Sequence, residues 1–121
     1  MITFRSDCPL SRILDMVGDK WTLLVLRDIV AFKKTTFKEI AQMPENIATN
    51  ILSDRLNKLV LGGFLTKTKS TTNKLVYHYN PTPKAIDLIP VVMSMKKWSE
   101  KYLYKRNEKP ASIGVPSSTL K

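Results

Sequence analysis

The stretch from Thr36 to Leu65 constrains this chain most. It reads Thr36-Phe37-Lys38-Glu39-Ile40-Ala41-Gln42-Met43, then Pro44-Glu45-Asn46, then Ile47 through Leu61, then Gly62-Gly63-Phe64-Leu65. That order predicts a short amphipathic helix, a Pro/Asn turn, a longer amphipathic helix and a double-glycine stop. In the longer helix Leu52, Leu56 and Leu59 recur at i, i+4 and i+7, so they share one face. At about 100° per residue, Asn50, Asp54 and Asn57 fall opposite, with Thr49 and Ser53 at the border. A polar face free of long apolar side chains, on the second helix of a helix-turn-helix, suits a DNA major groove. An ordinary helical hairpin packed in a core carries the same pattern, so periodicity alone leaves both readings open.

Charge weighs between them. The chain has 121 residues, 20 Lys plus Arg against 10 Asp plus Glu, and a formal charge of +10. One modest core and one domain are expected at that length. The cationic excess points to a polyanionic partner, nucleic acid or an anionic membrane surface. No apolar run approaches the ~18–20 residues a membrane span needs, and no charged leader with an apolar core opens the chain. A cytoplasmic protein without membrane attachment is therefore expected. The single cysteine excludes an internal disulfide framework and fits a reducing compartment.

Residues 1–7 are short and mixed, and a loosely held arm is expected. Cys8-Pro9 opens a helix, because proline is favoured at the first helical position. Leu10, Ile13, Leu14 and Val17 give that helix an apolar stripe, and Gly18 ends it. The Cys8 thiol then sits where free N–H groups and the helix dipole favour a thiolate, with Arg5 and Arg12 near in sequence. A small apolar cysteine without reactivity has the same sequence signature. Asp19 is expected to cap the next helix, Lys20 to about Phe32, with Trp21, Leu24, Val25 and Ile29 facing inward. Lys33-Lys34-Thr35 forms the following loop. Its lysines are either a solvated turn or within reach of a phosphate.

After Gly62-Gly63 the period changes from 3.6 to 2. Phe64 to Lys69 alternates, Ser70-Thr71-Thr72-Asn73 is a turn cluster, and Lys74 to Tyr79 alternates again. This predicts a β-hairpin, a wing, directly after the second helix. Lys67, Lys69 and Lys74 flank its tip and are expected to straddle a phosphate backbone; the same lysines on an exposed ribbon also discourage edge pairing. His78, the only histidine, has no Cys, Asp or Glu at ligand spacing nearby and is read as a strand residue, with no metal or cofactor implied. Asn80-Pro81-Thr82-Pro83 predicts an extended break, with Thr82 capping a last helix from Ala85 to about Tyr104. Pro90 is expected to kink it. Its stripe of Ile86, Ile89, Val92 or Met93, Met95 or Lys96, and Leu103, together with Trp98 and Tyr102, is more apolar surface than a small core can cover. Dimerisation is the expected outlet. Lys105 to Lys121 reads as a basic flexible tail.

These pieces fall in a familiar order: Cys8-Pro9, Gly18-Asp19-Lys20-Trp21-Thr22, Phe37-Lys38-Glu39-Ile40, Leu52-Ser53-Asp54-Arg55-Leu56, Gly63-Phe64-Leu65, Tyr79-Asn80-Pro81-Thr82, Pro90 and Trp98. Over residues 8–100 the chain resembles the HxlR-type bacterial winged helix-turn-helix regulators, relatives of the MarR group. The resemblance implies a mostly α fold with a small β-hairpin, a winged helix-turn-helix with an added terminal dimerisation helix. Residues 1–104 form that domain and residues 105–121 the tail. It implies a homodimer bound to double-stranded DNA at a palindromic operator. Thr49, Asn50, Ser53 and Asn57 are then expected to read bases, and Lys67, Lys69 and Lys74 to hold phosphates. Leu10, Ile89, Met93, Trp98 and Tyr102 are expected at the dimer interface. Cys8 occupies the place of a cysteine that several members use to sense electrophiles or oxidants. Any small-molecule effector is left unknown.

The chain departs from the family at Ala48, where serine is common, so Thr49 or Asn46 is expected to supply the cap. Thr36 stands where arginine is usual, Ala85 where glycine is, and Pro81 where an aliphatic residue is. Arg55 lies beside the leucine stripe, and an ion pair with Glu39 or Asp28 is expected of it before a base contact. Asp54 points outward as a possible acceptor for a cytosine amino group or as a repeller of phosphate. Two other functions compete. A winged-helix interaction module that has lost DNA binding is disfavoured by the charge and the wing lysines. An enzyme using Cys8 with His78 is disfavoured by the lack of a third orienting group.

Overall fold

The computed structural model describes residues 3–111. Its helices are α1 (Pro9–Val17), α2 (Thr22–Val30), α3 (Phe37–Ile40), α4 (Thr49–Leu61), α5 (Pro83–Ile86) and α6 (Ile89–Tyr102), with strands β1 (Leu65–Lys69) and β2 (Tyr77–Pro81) between α4 and α5. This is the expected winged helix-turn-helix: α3 and α4 make the helix pair, β1 and β2 the wing, and α6 is the added terminal helix.

Each start and stop has a local cause. Pro9 opens α1 and Gly18 closes it, its N–H donating to the Leu14 carbonyl at 2.8 Å. The arm expected to be loose is tied down over its described part. Arg5 holds Asp15 through both its backbone N–H and its guanidinium. Arg12 donates to the Ser6 carbonyl at 3.0 Å and to Asp7 at 2.8 Å, and its guanidinium lies 4.9 Å from the Phe4 ring centre. The Asp19 carboxylate covers the start of α2 as expected, but from three residues ahead of Thr22, with Trp21 at the N-cap position. Its carboxylate accepts from the N–H groups of Trp21 at 3.0 Å and Thr22 at 3.2 Å, so the helix begins at Thr22 and not at Lys20. At α3, Thr36 and Glu39 form a capping box, which satisfies two N–H groups that the helix cannot. The N–H groups of Thr35 and Thr36 hold the Glu39 carboxyl below its usual value.

The turn after α3 uses Asn46 at φ 59°, a left-handed conformation that asparagine tolerates better than most residues. Neither Asn46 nor Thr49 caps α4. Ala48 is the N-cap and no side chain covers the helix start, so that expectation is corrected. Leu52, Leu56 and Leu59 are buried as the leucine spacing requires. They pack with Val25, Leu26, Ile29, Ile40, Met43, Phe64, Leu65 and Tyr79 into one core. Gly62 ends α4, and Gly63 at φ +80° turns the chain into β1, which a side chain there would strain.

The wing is antiparallel, pairing Leu65 with Pro81 and Lys69 with Tyr77. Its second strand begins three residues later than the alternation suggested, so Lys74 lies in the tip loop of residues 70–76. Burial of Leu65 and Tyr79 on one face fixes this register. Pro81 closes the strand where an extended break was expected. Thr82 is the N-cap of α5, with Pro83 in the first turn as expected, but its side chain makes no capping bond; its hydroxyl donates instead to the Gly63 carbonyl at 2.6 Å, joining the strand end to the glycine turn. The long kinked helix is two helices. Pro90 sits in the first turn of α6, where its missing N–H costs no helical bond. Ile89 and Met93, expected at a dimer interface, are buried within the chain itself, 6% and 8% exposed, and so offer little surface to a partner. Of the tail, residues 105–111 are exposed, with a turn in which the Lys105 N–H donates to Glu108 at 2.8 Å. Residues 112–121 lie outside the described part.

Candidate nucleic-acid interface

Two ion-pair bolts hold the helix-turn-helix. In the first, Arg27 on α2 grips Glu45 in the α3–α4 turn through two nitrogens, at 2.9 and 2.8 Å. The same guanidinium donates to Asp28 at 2.9 Å, and Lys34 reaches the other Asp28 oxygen at 2.8 Å. Asp28 is 0% exposed, so two cations neutralise a carboxylate that no water reaches. The Arg27 hydrogen bond holds the Glu45 carboxyl below its usual value, and Glu45 and Asp28 together hold Arg27 firmly protonated. Lys34 is therefore committed to the scaffold and not free for phosphate.

The second bolt corrects the partner expected for Arg55. Its Nε donates to Asp19 at 2.8 Å and its Nη1 to Asp54. Glu39 serves its own capping box and Asp28 belongs to α2. Asp19 thus fastens the start of α2 to α4. Burial pushes its carboxyl up, but hydrogen bonds from Thr22, Arg55 and the Trp21 N–H outweigh burial and hold it at about 2, below its ordinary 3.8. A depressed carboxylate contributes stability above its unfolded value and loses it as pH falls through the folded one. The urea midpoint should hold steady down to about pH 4 and then fall toward pH 2 from this source, with Asp19→Asn flattening that part of the slope. An acid slope unchanged in Asp19→Asn would show that Asp19 does not supply it.

What the bolts present is the outer face of α4. Thr49, Asn50, Ser53 and Asn57 are all exposed. Among the described residues, none of these side chains is engaged in a hydrogen bond. Asp54 is exposed but bound to Arg55 and to Lys58, the latter at 3.2 Å, so its oxygens are not idle acceptors. The α4 start lacks both a capping side chain and an acidic residue in its first turn. Its free N–H groups and dipole favour an anion there. On the wing, Lys67 lies mid-strand with its ammonium 4.4 Å from the Tyr77 ring centre, while Lys69 ends β1 and Lys74 rides the tip loop. His78 lies in β2 as read, with Nδ1 2.8 Å from the Thr35 hydroxyl.

The other candidates separate. Cys8 is exposed at the N-cap of α1. The arginines expected beside its thiol are engaged elsewhere, Arg5 on Asp15 and Arg12 on Asp7. Leu10, Trp98 and Tyr102 are exposed, unlike Ile89 and Met93. On α6 the exposed apolar face runs Val91, Met95, Trp98, Tyr102, at i, i+4, i+7 and i+11. Val91 does not stand out in the sequence, because a Pro90 read as mid-helix obscures the phase of the stripe. Trp98 and Tyr102 pack against each other in a tilted pair, with ring centres 5.1 Å apart.

The model of the HxlR-like helix-turn-helix family matches residues 16–107. The HTH-type transcriptional regulator YdeP of Bacillus subtilis (strain 168), itself uncharacterized, is 30% identical over 105 residues, covering 84% of this chain and 81% of the relative. Among solved structures, PA1607, described as a candidate transcription factor, superposes with a TM-score of 0.79 at 31% identity, over 88% of this chain and 73% of that one. The reduced form of the regulator YodB from B. subtilis superposes with a TM-score of 0.64 at 23% identity, over 80% of this chain and 95% of that one, a likeness of fold. The relatives are regulators and not enzymes, which disposes of the catalytic reading of Cys8 with His78. The family match over residues 16–107 and the 30% identity to YdeP, on a chain that folds as a winged helix-turn-helix, show that this chain belongs to the HxlR-like helix-turn-helix family of transcriptional regulators.

Proposed function

We propose that the protein binds a palindromic operator as a homodimer, with α4 in the major groove and the wing on the flanking backbone. The observation that carries this reading is the outer face of α4: four short polar side chains, exposed and uncommitted, on a helix fastened from beneath at Asp19 and reached through the Glu45 turn. Short polar side chains there allow close approach to base edges. The uncapped start of α4 suits a phosphate, and Lys69 and Lys74 suit the backbone beyond. An interaction module without DNA binding leaves this cationic surface unexplained.

Alanine scanning of both surfaces tests the division of labour. Changes at Thr49, Asn50, Ser53 or Asn57 should alter sequence preference, and removing one good bidentate pairing with a base should cost on the order of 1–3 kcal/mol. Changes at Lys67, Lys69 or Lys74 should weaken all sequences alike and reduce the salt slope by about one unit each. Lysine variants that shifted preference, beside helix variants that did not, would reverse the assignment.

We also propose that Cys8 is a modifiable thiol that adjusts DNA binding. Its exposure before Pro9, at the head of α1, supports access by small oxidants. With one cysteine per chain, oxidation leads to a bridge between two chains, a mixed disulfide with a small thiol, or a sulfenic acid. Diamide should weaken DNA binding by the unaltered protein and leave Cys8→Ser unaffected. Equal indifference of both proteins to diamide would leave Cys8 a structural residue.

A further inference from the structure

We propose that Leu75 is a minor-groove wedge, which inserts at a base step from the tip of the wing and bends the bound duplex. The proposal rests on the DNA-binding reading above and adds a residue and a deformation to it. Leu75 is 91% exposed, the most exposed large apolar side chain among the described residues. A leucine left fully in water forgoes the stabilisation that burial brings, so a partner that covers the tip gains that stabilisation.

The loop that carries Leu75 is built, not slack. The Ser70 hydroxyl accepts from the N–H groups of Thr72 and Asn73, both at 3.3 Å. The Asn73 side chain accepts the Leu75 N–H at 3.0 Å, and its carbonyl accepts the Val76 N–H at 3.0 Å. The Val76 carbonyl then closes the loop on the Ser70 N–H at 2.9 Å. The backbone is thus fixed on both sides of Leu75, which limits the ordering cost of using it.

Charge selects the partner. Lys74 precedes Leu75 and Lys69 ends the paired strand, and no Asp or Glu occurs between Asp54 and Asp87. A surface that meets these lysines must be anionic, while the surface that covers the leucine must be apolar. A base stack behind its phosphates offers both. Apolar wedges entering from the minor groove partly unstack a step and kink the duplex toward the major groove by roughly 20–90°. Pyrimidine–purine steps unstack most cheaply, so Leu75 imposes a preference at a position where it makes no hydrogen bond.

The test uses the full chain and duplexes that the unaltered protein recovers from a random-sequence pool. These are prepared as a circularly permuted set for bending, and with 2-aminopurine at successive flanking steps to report unstacking. The unaltered protein should bend the duplex and raise fluorescence at one step per half-site. Leu75→Ala should lose both signals and bind roughly tenfold more weakly, the scale of one leucine side chain less the unstacking it drives. Leu75→Phe should keep both signals. An alanine variant that bends and unstacks the duplex like the unaltered protein overturns the wedge and leaves the DNA-binding reading standing. An alanine variant that dissociates in sedimentation without DNA places the leucine against a second copy of the chain and also overturns it. Failure of the unaltered protein to retain any duplex removes both readings.

Discussion

Arg27→Ala is expected to destabilise the protein by about 3–5 kcal/mol, the scale of breaking a buried ion pair from one side. Arg27 touches one oxygen of the fully buried Asp28 and both oxygens of Glu45. Removing it leaves Lys34 on the other Asp28 oxygen alone and strands the first in the core. It also releases the turn that sets α4 against α2, so DNA affinity should fall at temperatures where the fold survives. The double variant with Asp28→Asn should recover part of the loss, because the carboxylate left behind is what makes the single change so costly. Urea unfolding of the three proteins measures this. A single variant within about 1 kcal/mol of the unaltered protein, the size expected of an exposed pair, would mean the network is solvated and not a bolt.

Trp98→Lys is expected to lower affinity for a selected palindromic duplex by on the order of a hundredfold or more, because the second recognition helix no longer binds at high effective concentration. The stripe of Val91, Met95, Trp98 and Tyr102 leaves four large side chains largely in water, with Trp98 58% exposed. A contiguous apolar stripe of this kind is the surface that the proposed homodimer would bury. Since the opposite face of α6 holds Ile89 and Met93 in the chain's own core, the substitution should spare the fold. Sedimentation should find a monomer with unchanged helical content. An unaltered protein that is monomeric at micromolar concentration, or a lysine variant that stays dimeric, would move the interface elsewhere.

The elements legible in the sequence were those whose cause is local. Leucine spacing at 52, 56 and 59 and the Gly62-Gly63 stop both act within a few residues, and α4 lies where they put it. The outer face of α4 was legible for the same reason. What escaped was set from a distance. Lys74 to Val76 alternates like a strand, but the register is fixed by burial of Leu65 and Tyr79, which moves those residues into the tip. Pro90 reads as a kink within a long helix, and its place in a first turn follows from the break at Asp87 and Leu88. The partner of Arg55 lies 36 positions away, so no spacing rule points to Asp19. The missing cap at Ala48 invited a search for a substitute, yet a helix start left open is itself a feature a phosphate can use.

In the proposed complex two α4 helices, related by a two-fold axis, read DNA. Selection of bound duplexes from a random pool, followed by footprinting of the recovered sites at two salt concentrations, tests it most directly. Inverted half-sites about one helical turn apart, roughly 10 bp centre to centre, are the predicted result, with protection extending into the flanks beneath the wings. Recovery of duplexes with no shared sequence, or of single unpaired sites bound by one chain, would contradict it.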